Sequence, residues 1–369
     1  MAVASAAKFQ SSSPFHQDLK ARVDAYFLET GKSRKDQPRM YLKTGVIFAW
    51  FLASYLFLLG VASGPLTLVL GCVSLALAMA GIGFSVQHDA NHGGYSDNRM
   101  VNRALAWSLD VIGGSSYIWS WKHNVFHHTH SNVVGLDADV EIEPLGRFAP
   151  SQRHRAAHRF QHIYIWALYG FLALKWHLVD DFLNVAYGHV GPQRMPRPRG
   201  KALALFVAGK VVFFSWAFVV PMLFHPVLTV LLAYTLTAAV VGLVLSVTFQ
   251  LAHCVEEAQF PAIPADNRFE VDWATHQLQT TVDFAPHNSL LTWYVGGLNF
   301  QVVHHLFPLV CHLHYPALAG IVAETARTHG LTYHSHPTFR SALGSHVRWM
   351  RRMGQPDPVD LERAPRLVA

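Results

Sequence analysis

The chain has 369 residues, of which 51% are hydrophobic and only 14% are charged, and its mean hydropathy is +0.21. This composition argues against a soluble protein and indicates a membrane protein. Lys and Arg number 29 against 23 Asp and Glu, and both signs are mixed along the chain, which excludes the basic stripe of a nucleic-acid binder. The three cysteines are widely separated, so neither a disulfide framework nor a thiolate metal site is indicated.

Four apolar runs are long enough to cross a hydrocarbon core of about 30 Å, which takes roughly 20 helical residues. They form two hairpins with very short turns, one around Gly64 and one around His225 and Pro226. The predicted spans are residues 44–63, 65–87, 202–224 and 227–252. The predicted fold class is therefore all-α, a multi-pass membrane protein with four transmembrane helices. Lys210 lies a few residues inside the third run, and we interpret it as snorkelling to the interface.

The distribution of Lys and Arg predicts the orientation of the spans. All but one lie in the segments 1–43, 93–201 and 253–369, and neither hairpin turn contains any. The positive-inside rule therefore puts both termini and a helical cap on the cytoplasmic side, and no signal peptide is expected. Two further apolar segments, 104–120 and 163–174, contain Trp and Tyr that suit the headgroup region, so we expect both to lie in the membrane plane.

The 24 histidines are the most unusual feature of the composition, and many lie near the cytoplasmic ends of the spans. Continuing the second span as an α-helix puts His88 and His92 at i and i+4, on the same face. His123 and His127 share a helix face in the same way. His128 is turned by about 100° from them and can serve a second centre.

Three more histidines follow later in the chain. His253 lies where the fourth span leaves the bilayer, and His304 and His305 form a pair preceded by the amide of Gln301. We predict eight metal ligands on one membrane face: His88, His92, His123, His127, His128, His253, His304 and His305. A mononuclear site needs three or four protein ligands, so eight indicate two metal ions. Imidazole suits Zn, Cu, Fe and Ni alike, so ligand type does not choose the metal.

Carboxylates near these clusters can orient imidazole rings by accepting the ring N–H that does not face a metal. The candidates are Asp89, Asp137, Asp139, Glu141, Glu256 and Glu257. Asp89 is the strongest because it lies inside a histidine motif, whereas a solvated acidic loop explains Glu141 and Glu143 at least as well. Cys254 is interpreted as a buried structural thiol.

Several histidines are left outside the predicted site. His154, His158 and His162 lie among arginines and are assigned to a solvated or interfacial helix face. His312 and His314 are interpreted as structural residues or as partners of the ligand rings, and the role of His130 stays open.

Two divalent metals with neutral ligands keep their full charge, and such a centre can activate oxygen. A zinc pair would instead suit hydrolysis in a water-accessible site. A site pressed against the bilayer favours a lipid substrate. A transporter is disfavoured because its sites lie near the midplane with broken helices, and a noncatalytic metal or lipid sensor is a further alternative.

Three motifs resemble the histidine boxes of membrane fatty acid desaturases. They are His88-Asp-Ala-Asn-His92, His123-Asn-Val-Phe-His127-His128 and Gln301-Val-Val-His304-His305. The resemblance extends to Gly-Gly-Leu-Asn-Phe before the third motif and Leu-Phe-Pro after it, and covers roughly residues 40–345. It implies a centre of two Fe ions, held by the eight histidines, that uses O2 and two electrons to introduce a double bond into an acyl chain.

The third motif begins with Gln301 where many members of the family have a histidine, which resembles the front-end subgroup. Enzymes of this subgroup insert a cis double bond between an existing one and the carboxyl end. The N-terminal region resembles bacterial linoleoyl-CoA (delta-6-type) desaturases. The resemblance makes Gln301, Asp89 and Asn299 partners of the ligand rings, or in the case of Gln301 a weak ligand. It implies a long-chain acyl-CoA or acyl-lipid substrate, with a lipid hydroxylase as the alternative on the same scaffold.

The resemblance also suggests how the chain is organised. We expect a cytoplasmic segment 1–43, a membrane desaturase domain 44–345 and a tail 346–369, in the cell membrane of a bacterium. The fused cytochrome b5 domain of many front-end members, with its HPGG motif, is not found. Electrons are therefore expected from a separate ferredoxin, cytochrome b5 or flavin-dependent reductase.

Overall fold

The computed structural model describes residues 7–356, which are mostly helical. The helices are α1 (Pro14–Thr30), α2 (Pro38–Gly60), α3 (Pro65–His92), α4 (Arg99–Ala106), α5 (Ser108–Val111), α6 (Ser116–Trp119), α7 (Gln161–Lys175), α8 (Asp181–Tyr187), α9 (Lys201–Met222), α10 (Val227–His253), α11 (Trp273–Thr280), α12 (Ser289–Tyr294), α13 (Gln301–Leu306), α14 (Tyr315–Thr328) and α15 (Phe339–Met353). π-helical turns lie at Gly83–Gln87 within α3, Ser120–His127 after α6, Trp176–Asp180 between α7 and α8, and Ser215–Val219 within α9.

The remaining regular structure is short. Turns of 3-10 helix are Ala138–Val140, Ala156–Phe160 and His312–His314. The strands are β1 (Lys8–Gln10), β2 (His189–Val190), β3 (Gln193–Arg194), β4 (Arg268–Asp272), β5 (Asp283–Phe284) and β6 (Ser335–His336). They form three two-stranded pairs, β1 with β4 and β5 with β6 in parallel and β2 with β3 antiparallel. The predicted all-α class is confirmed.

Four helices are long and apolar enough to cross a membrane, namely α2, α3, α9 and α10. They correspond to the four predicted spans, although α2 begins six residues before residue 44. Pro38 and Pro65 start the first two of them, at a position where a missing N–H costs no helical hydrogen bond. The second helix continues past residue 87 to His92, where Gly93 ends it in the left-handed conformation. This extension carries two predicted ligands out of the span.

The helix α3 lies at the centre of the bundle. It packs against α2 on one side and α10 on the other, and its Met79, Ile82 and Val86 belong to one apolar core with Ile47 and Val241. In a membrane these side chains would otherwise face lipid, so their contribution to the bundle comes from close van der Waals packing and not from removal of apolar surface from water. The result is a rigid support for the last turn of α3.

The helix α7 lies beside α10 instead of crossing it. A Cβ atom at Gly242 would lie 2.6 Å from the carbonyl oxygen of Tyr169, and Gly170 faces Ala239. Further along, His177 approaches Tyr234, so the two helices are antiparallel. Small residues permit this close contact. The prediction that 163–174 lies in the membrane plane is therefore wrong, because an in-plane helix would cross a span rather than follow it.

Lys210 does not snorkel to the interface, contrary to the prediction. Its side chain is buried, and its Nζ lies 2.7 Å from Asp181 Oδ2 and 2.7 Å from the carbonyl oxygen of Gly113. A buried ammonium requires such partners. The ion pair ties α9 to α8 and to the segment that precedes the π turn Ser120–His127.

A cap of shorter helices covers one end of the bundle. The helices α1, α11, α13 and α14 share an apolar core, and α15 buries Trp349, Met350 and Met353 beneath residues of α7. The boundary expected after residue 345, where the resemblance ends, falls inside α15, which packs on the cap as one continuous helix. Of the predicted tail, residues 357–369 lie outside the described residues.

Candidate metal centre

The predicted ligands lie on four elements that meet where the cap joins the bundle. His88 and His92 lie in the last turn of α3, His253 ends α10, His304 and His305 lie on α13, and the other three lie on or next to the π turn Ser120–His127. Seven of the eight residues are buried, and the Nε2 atom of His92 is shielded from solvent as well. The structure thus brings all eight histidines into one buried cluster.

The cluster divides into two adjoining groups of ring nitrogens. His88, His92, His123 and His304 form the first group, and within each group the ligand atoms lie within 4.8 Å of one another. The second group contains His127, His253 and His305.

His128 lies between the two groups. Its Nε2 is 3.2 Å from His123 Nε2 and 3.0 Å from His304 Nε2, and it also forms a group with His304 and His305. The arrangement offers two neighbouring positions to metal ions.

The π turn decides which histidines meet. We predicted an α-helix in which His123 and His127 share a face and His128 points elsewhere. Instead the backbone N–H of His128 donates to the carbonyl oxygen of His123, five residues back, as in a π-helix. His123 and His128 therefore lie one turn apart with their Nε2 atoms in contact. His127 belongs to the second group, but its ring also stacks on that of His123, with ring centres 5.2 Å apart, and the two form a further group with Asp139. The predicted proximity of His123 and His127 is present, and the π turn adds the contact between His123 and His128 that an α-helix would not make.

Residues outside the cluster hold four of the ligand rings, and the longest of these contacts is that of Ser131 Oγ with His253 Nδ1, at 3.4 Å. Asp137 Oδ2 accepts from His127 Nδ1 at 2.9 Å, and Gln277 Oε1 accepts from His305 Nδ1 at 2.7 Å. The hydroxyl of Tyr315 lies 3.3 Å from His304 Nδ1. Fixing the outer nitrogen of a ring sets its tautomer and turns its other nitrogen inward.

Gln277 is itself held in one orientation. Its Nε2 donates to the carbonyl oxygen of His128 at 3.2 Å, which leaves Oε1 for His305. It lies on α11, whose first turn is capped by Asp272, which accepts from the Thr275 N–H. A helix cap thus contributes to the position of a ligand ring.

The inward nitrogens have the properties of metal ligands. The Nε2 atoms of His92, His127 and His305 are buried without a hydrogen-bond partner, an arrangement that is rare unless a ligand satisfies the atom. Burial lowers the pKa of His123 and His305 well below the usual value, so both rings are neutral, the form that binds metal. Neutral imidazole donors of this kind fit iron as well as zinc or copper.

The charge of Asp137 has the opposite effect on its partner. Burial disfavours a charged imidazole, but the adjacent Asp137 carboxylate raises the pKa of His127 above the usual value. Asp139 lies 3.7 Å from the same Nδ1 and pairs with Lys122 at 2.6 Å. The remaining candidate carboxylates lie elsewhere: Glu141 binds the Gly135 N–H, Glu256 pairs with Arg348 and Glu257 with His336.

The three residues proposed beside the ligands have different environments. Gln301 Nε2 lies 3.0 Å from His253 Nε2, so its amide faces the second group. Asp89 Oδ2 accepts from His312 Nδ1, and Asp89 Oδ1 lies 3.9 Å from the outer ring nitrogen, Nδ1, of His88. The amide of Asn299 donates to two backbone carbonyl oxygens and to Thr292, so it holds the loop before α13.

Four of the histidines outside the predicted site bond a backbone carbonyl oxygen, whereas the Nδ1 atom of His162 is buried without a hydrogen-bond partner. His130 contacts the carbonyl oxygen of Ala7, His314 that of Ser33, His154 that of Gly354 and His158 that of Pro144. His158 is buried, which contradicts its assignment to a solvated face. Cys254 is a buried free thiol, as expected.

Sequence reasoning missed Gln277, Tyr315 and Asn132. The side chain of Asn132 donates to the carbonyl oxygen of His253, and its backbone N–H donates to Asp137. Asn132 has a φ of 60°, a conformation that Asn adopts in many loops, so the residue type alone did not mark it as part of the site. No spacing rule links any of the three residues to a histidine motif.

Apolar side chains border the cluster on the bundle side. The Trp119 ring stacks on His123 with ring centres 4.2 Å apart and lies 5.4 Å from the His88 ring. Trp107 donates to the carbonyl oxygen of Leu205 on α9, so only Trp119 of these two tryptophans contacts the ligand rings. A separate apolar cavity between the spans, lined by Tyr55, Phe213 and other side chains, contains none of the eight histidines.

Comparison with known proteins gives consistent matches. The family model described as fatty acid desaturase matches residues 63–337. The chain is 37% identical to the sn-1 linoleoyl-lipid 6-desaturase of Synechocystis sp., over 96% of this chain and 99% of that protein. It is 38% identical to the protein of the same name from Arthrospira platensis, over 94% of each chain. An acyl-lipid (8-3)-desaturase of Physcomitrium patens is 35% identical, over 92% of this chain and 72% of the relative.

Proposed function

Because the chain belongs to the fatty acid desaturase family, we propose that it is an O2-dependent front-end desaturase that acts on a long-chain unsaturated acyl group. The new cis double bond forms between an existing one and the carboxyl end. The observation that carries this proposal is the convergence of eight histidines into two adjoining buried groups at the ends of apolar helices. The names of the two cyanobacterial relatives favour a delta-6-like reaction on an acyl-lipid over one on acyl-CoA.

In this proposal the cluster holds two iron ions. His88, His92, His123 and His304 hold one ion, His127, His253 and His305 hold the other, and His128 lies between them. The iron centre, with O2 and two electrons, supplies the oxidation that removes two hydrogens from the acyl chain.

The protein's own residues position and shield this centre. Asp137 and Gln277 orient the rings of His127 and His305, and the buried setting excludes bulk water, which limits side reactions. The Trp119 ring gives the cluster an apolar wall that suits an acyl chain rather than a polar substrate.

The orientation and the electron supply are part of the same proposal. The concentration of Lys and Arg outside the hairpin turns favours a cytoplasmic cluster. A separate ferredoxin, cytochrome b5 or flavin-dependent reductase would dock on the basic cap, since charge complementarity accelerates association with an acidic partner.

The test is the fatty-acid profile of a bacterial host that expresses the chain and is fed isotopically labelled linoleate. We expect a labelled product with an added double bond on the carboxyl side, located by gas chromatography and mass spectrometry, and none in a His305→Ala control. Separate extraction of phospholipids and acyl-CoA early in the time course identifies the carrier. A hydroxylated product, or no product where a known desaturase is active, contradicts the proposal.

A further inference from the structure

A buried hydrogen-bond network of Lys43, His312 and Asp89 lies next to the first histidine group. Lys43 Nζ on α2 is 2.9 Å from His312 Nε2. His312 Nδ1 is 2.9 Å from Asp89 Oδ2, and the backbone N–H of His312 donates to the same oxygen at 3.1 Å. Lys43, His312 and Asp89 are 4%, 2% and 2% exposed, so no solvent competes for these bonds.

The donors and acceptors in this network have one consistent assignment. A lysine ammonium only donates, so His312 Nε2 accepts, which leaves the ring proton on Nδ1 to donate to Asp89. A neutral imidazole thus lies between a buried cation and a buried carboxylate. Each charge would be costly to bury alone, and the Lys43 ammonium also lies 5.2 Å from the centre of the Trp293 ring. Through the His312 ring, the Lys43 ammonium compensates the negative charge of Asp89 without direct contact.

The second oxygen of Asp89 points to the metal ligands. Asp89 Oδ1 is buried and has no hydrogen-bond partner, and it lies 3.9 Å from His88 Nδ1. On the other side of that ring, His88 Nε2 is 3.3 Å from His123 Nε2, inside the cluster. Asp89 and His88 are thus arranged like Asp137 and His127, but their oxygen–nitrogen distance of 3.9 Å is longer than the 2.9 Å hydrogen bond of the second pair.

We propose that Lys43 and His312 are positioning residues for the iron centre: they anchor one oxygen of Asp89 so that the other orients the His88 ring for metal binding. This inference rests on the proposed di-iron function. The network also connects three elements. Lys43 lies on α2, Asp89 lies in the first histidine motif at the end of α3, and His312 lies in the 3-10 turn that follows the third histidine motif.

The experiment measures iron binding by the purified full chain in detergent. Wild type, Lys43→Met and His312→Asn are reconstituted anaerobically with Fe(II), and iron per chain is determined by mass spectrometry while Mössbauer spectra report the two iron environments. We expect wild type to bind two ions and both variants to bind one of them about 10- to 100-fold more weakly, with one spectral component altered. Lys43→Arg, which keeps a donor, should restore part of the affinity.

Two matched controls separate positioning from general loss of stability. His314→Asn removes a nearby buried histidine whose ring bonds the Ser33 carbonyl oxygen and packs against Phe27 rather than against a ligand ring. Lys210→Met breaks another buried lysine–aspartate pair, outside the cluster. Both should bind iron as wild type does, Lys210→Met at a temperature well below its own unfolding transition, because its lower stability does not touch a ligand ring. If Lys43→Met does not fold, the double variant Lys43→Met/Asp89→Asn removes both buried charges and should fold. We expect this double variant, like the single variants, to bind one of the two ions more weakly than wild type does.

The outcomes distinguish the two proposals. Wild-type iron binding by Lys43→Met and His312→Asn, or by the double variant, overturns the positioning role and leaves the proposed function intact. Equal weakening in the controls overturns it as well, because the effect would then be one of stability. Failure of wild type itself to bind iron would contradict the proposed function first.

Discussion

Replacing Asp137 by Asn tests whether a single outer carboxylate controls the second histidine group. Asp137 is fully buried and accepts three hydrogen bonds: Oδ2 accepts from His127 Nδ1 and from the Asn132 N–H, and Oδ1 accepts from the Asp139 N–H, each at 2.9 Å. An amide of the same size has one acceptor oxygen. Whichever way it is turned, its NH2 group faces at least one of these donors.

The expected magnitude follows from that mismatch. Leaving a buried donor unpaired costs about 1–3 kcal/mol, and loss of an outer partner of a metal ligand typically lowers metal affinity or activity by about 10- to 100-fold. The first figure is a loss of folding stability and the second a loss of metal affinity, so the two are measured separately. We therefore expect Asp137→Asn to weaken one iron site by about 10- to 100-fold and to lower kcat, with little change in the KM for the acyl substrate.

The assay is desaturation by membrane fractions at a series of Fe(II) concentrations, with iron content measured in parallel. Glu141→Gln is the matched control, because Glu141 lies in the same loop and accepts from the Gly135 N–H without contacting a histidine. If Asp137→Asn and Glu141→Gln have the same iron affinity and the same kcat, the reasoning about the outer carboxylate is refuted.

Three further predictions concern the cluster and its support. His305→Ala and His127→Ala should each abolish desaturation without affecting membrane insertion, measured by product analysis and by fractionation; full activity in either variant would contradict the ligand assignment. Lys210→Met should destabilise the protein by about 3–5 kcal/mol, because it leaves Asp181 buried without its cation; thermal unfolding in detergent measures this, and addition of Asp181→Asn should recover part of the loss. Burial raises the pKa of Asp283 to about 7, whereas an unfolded Asp titrates near 3.9, so this group's contribution to the free energy of unfolding should fall as pH rises from about 4 to 7. Asp283→Asn should remove that part of the pH dependence in chemical denaturation, and an unchanged pH profile would contradict it.

The site illustrates which contacts could be predicted from sequence. Asp137 lies ten residues from His127 in a loop next to a histidine motif, so proximity along the chain was enough to suggest it. Gln277 and Tyr315 reach their rings from α11 and α14. Nothing in their local sequence marks them, because the contact arises only when the cap helices pack against α13.

Two incorrect predictions have a common origin. We interpreted Lys210 by its distance from the end of a span, and residues 163–174 by the number of consecutive apolar residues. In the structure Lys210 pairs with Asp181, and α7 continues through a π turn into α8, which carries that aspartate. Both predictions assumed isolated segments in lipid, whereas neighbouring helices supply polar partners that lipid cannot.

The sequence by itself determined the four apolar spans, the inventory of eight histidines and the resemblance to desaturases, because length, hydropathy and motif spacing are local properties of the chain. Only the tertiary structure decided how the histidines meet, because the π turn after α6 brings His128 against His123 while His127 also reaches His253 and His305 from the other elements. The rings of His123, His127 and His128 contact side chains of α3, α10 and α13, which are distant in sequence. Tertiary packing likewise linked Lys43 to Asp89 through His312, across more than 200 residues of sequence.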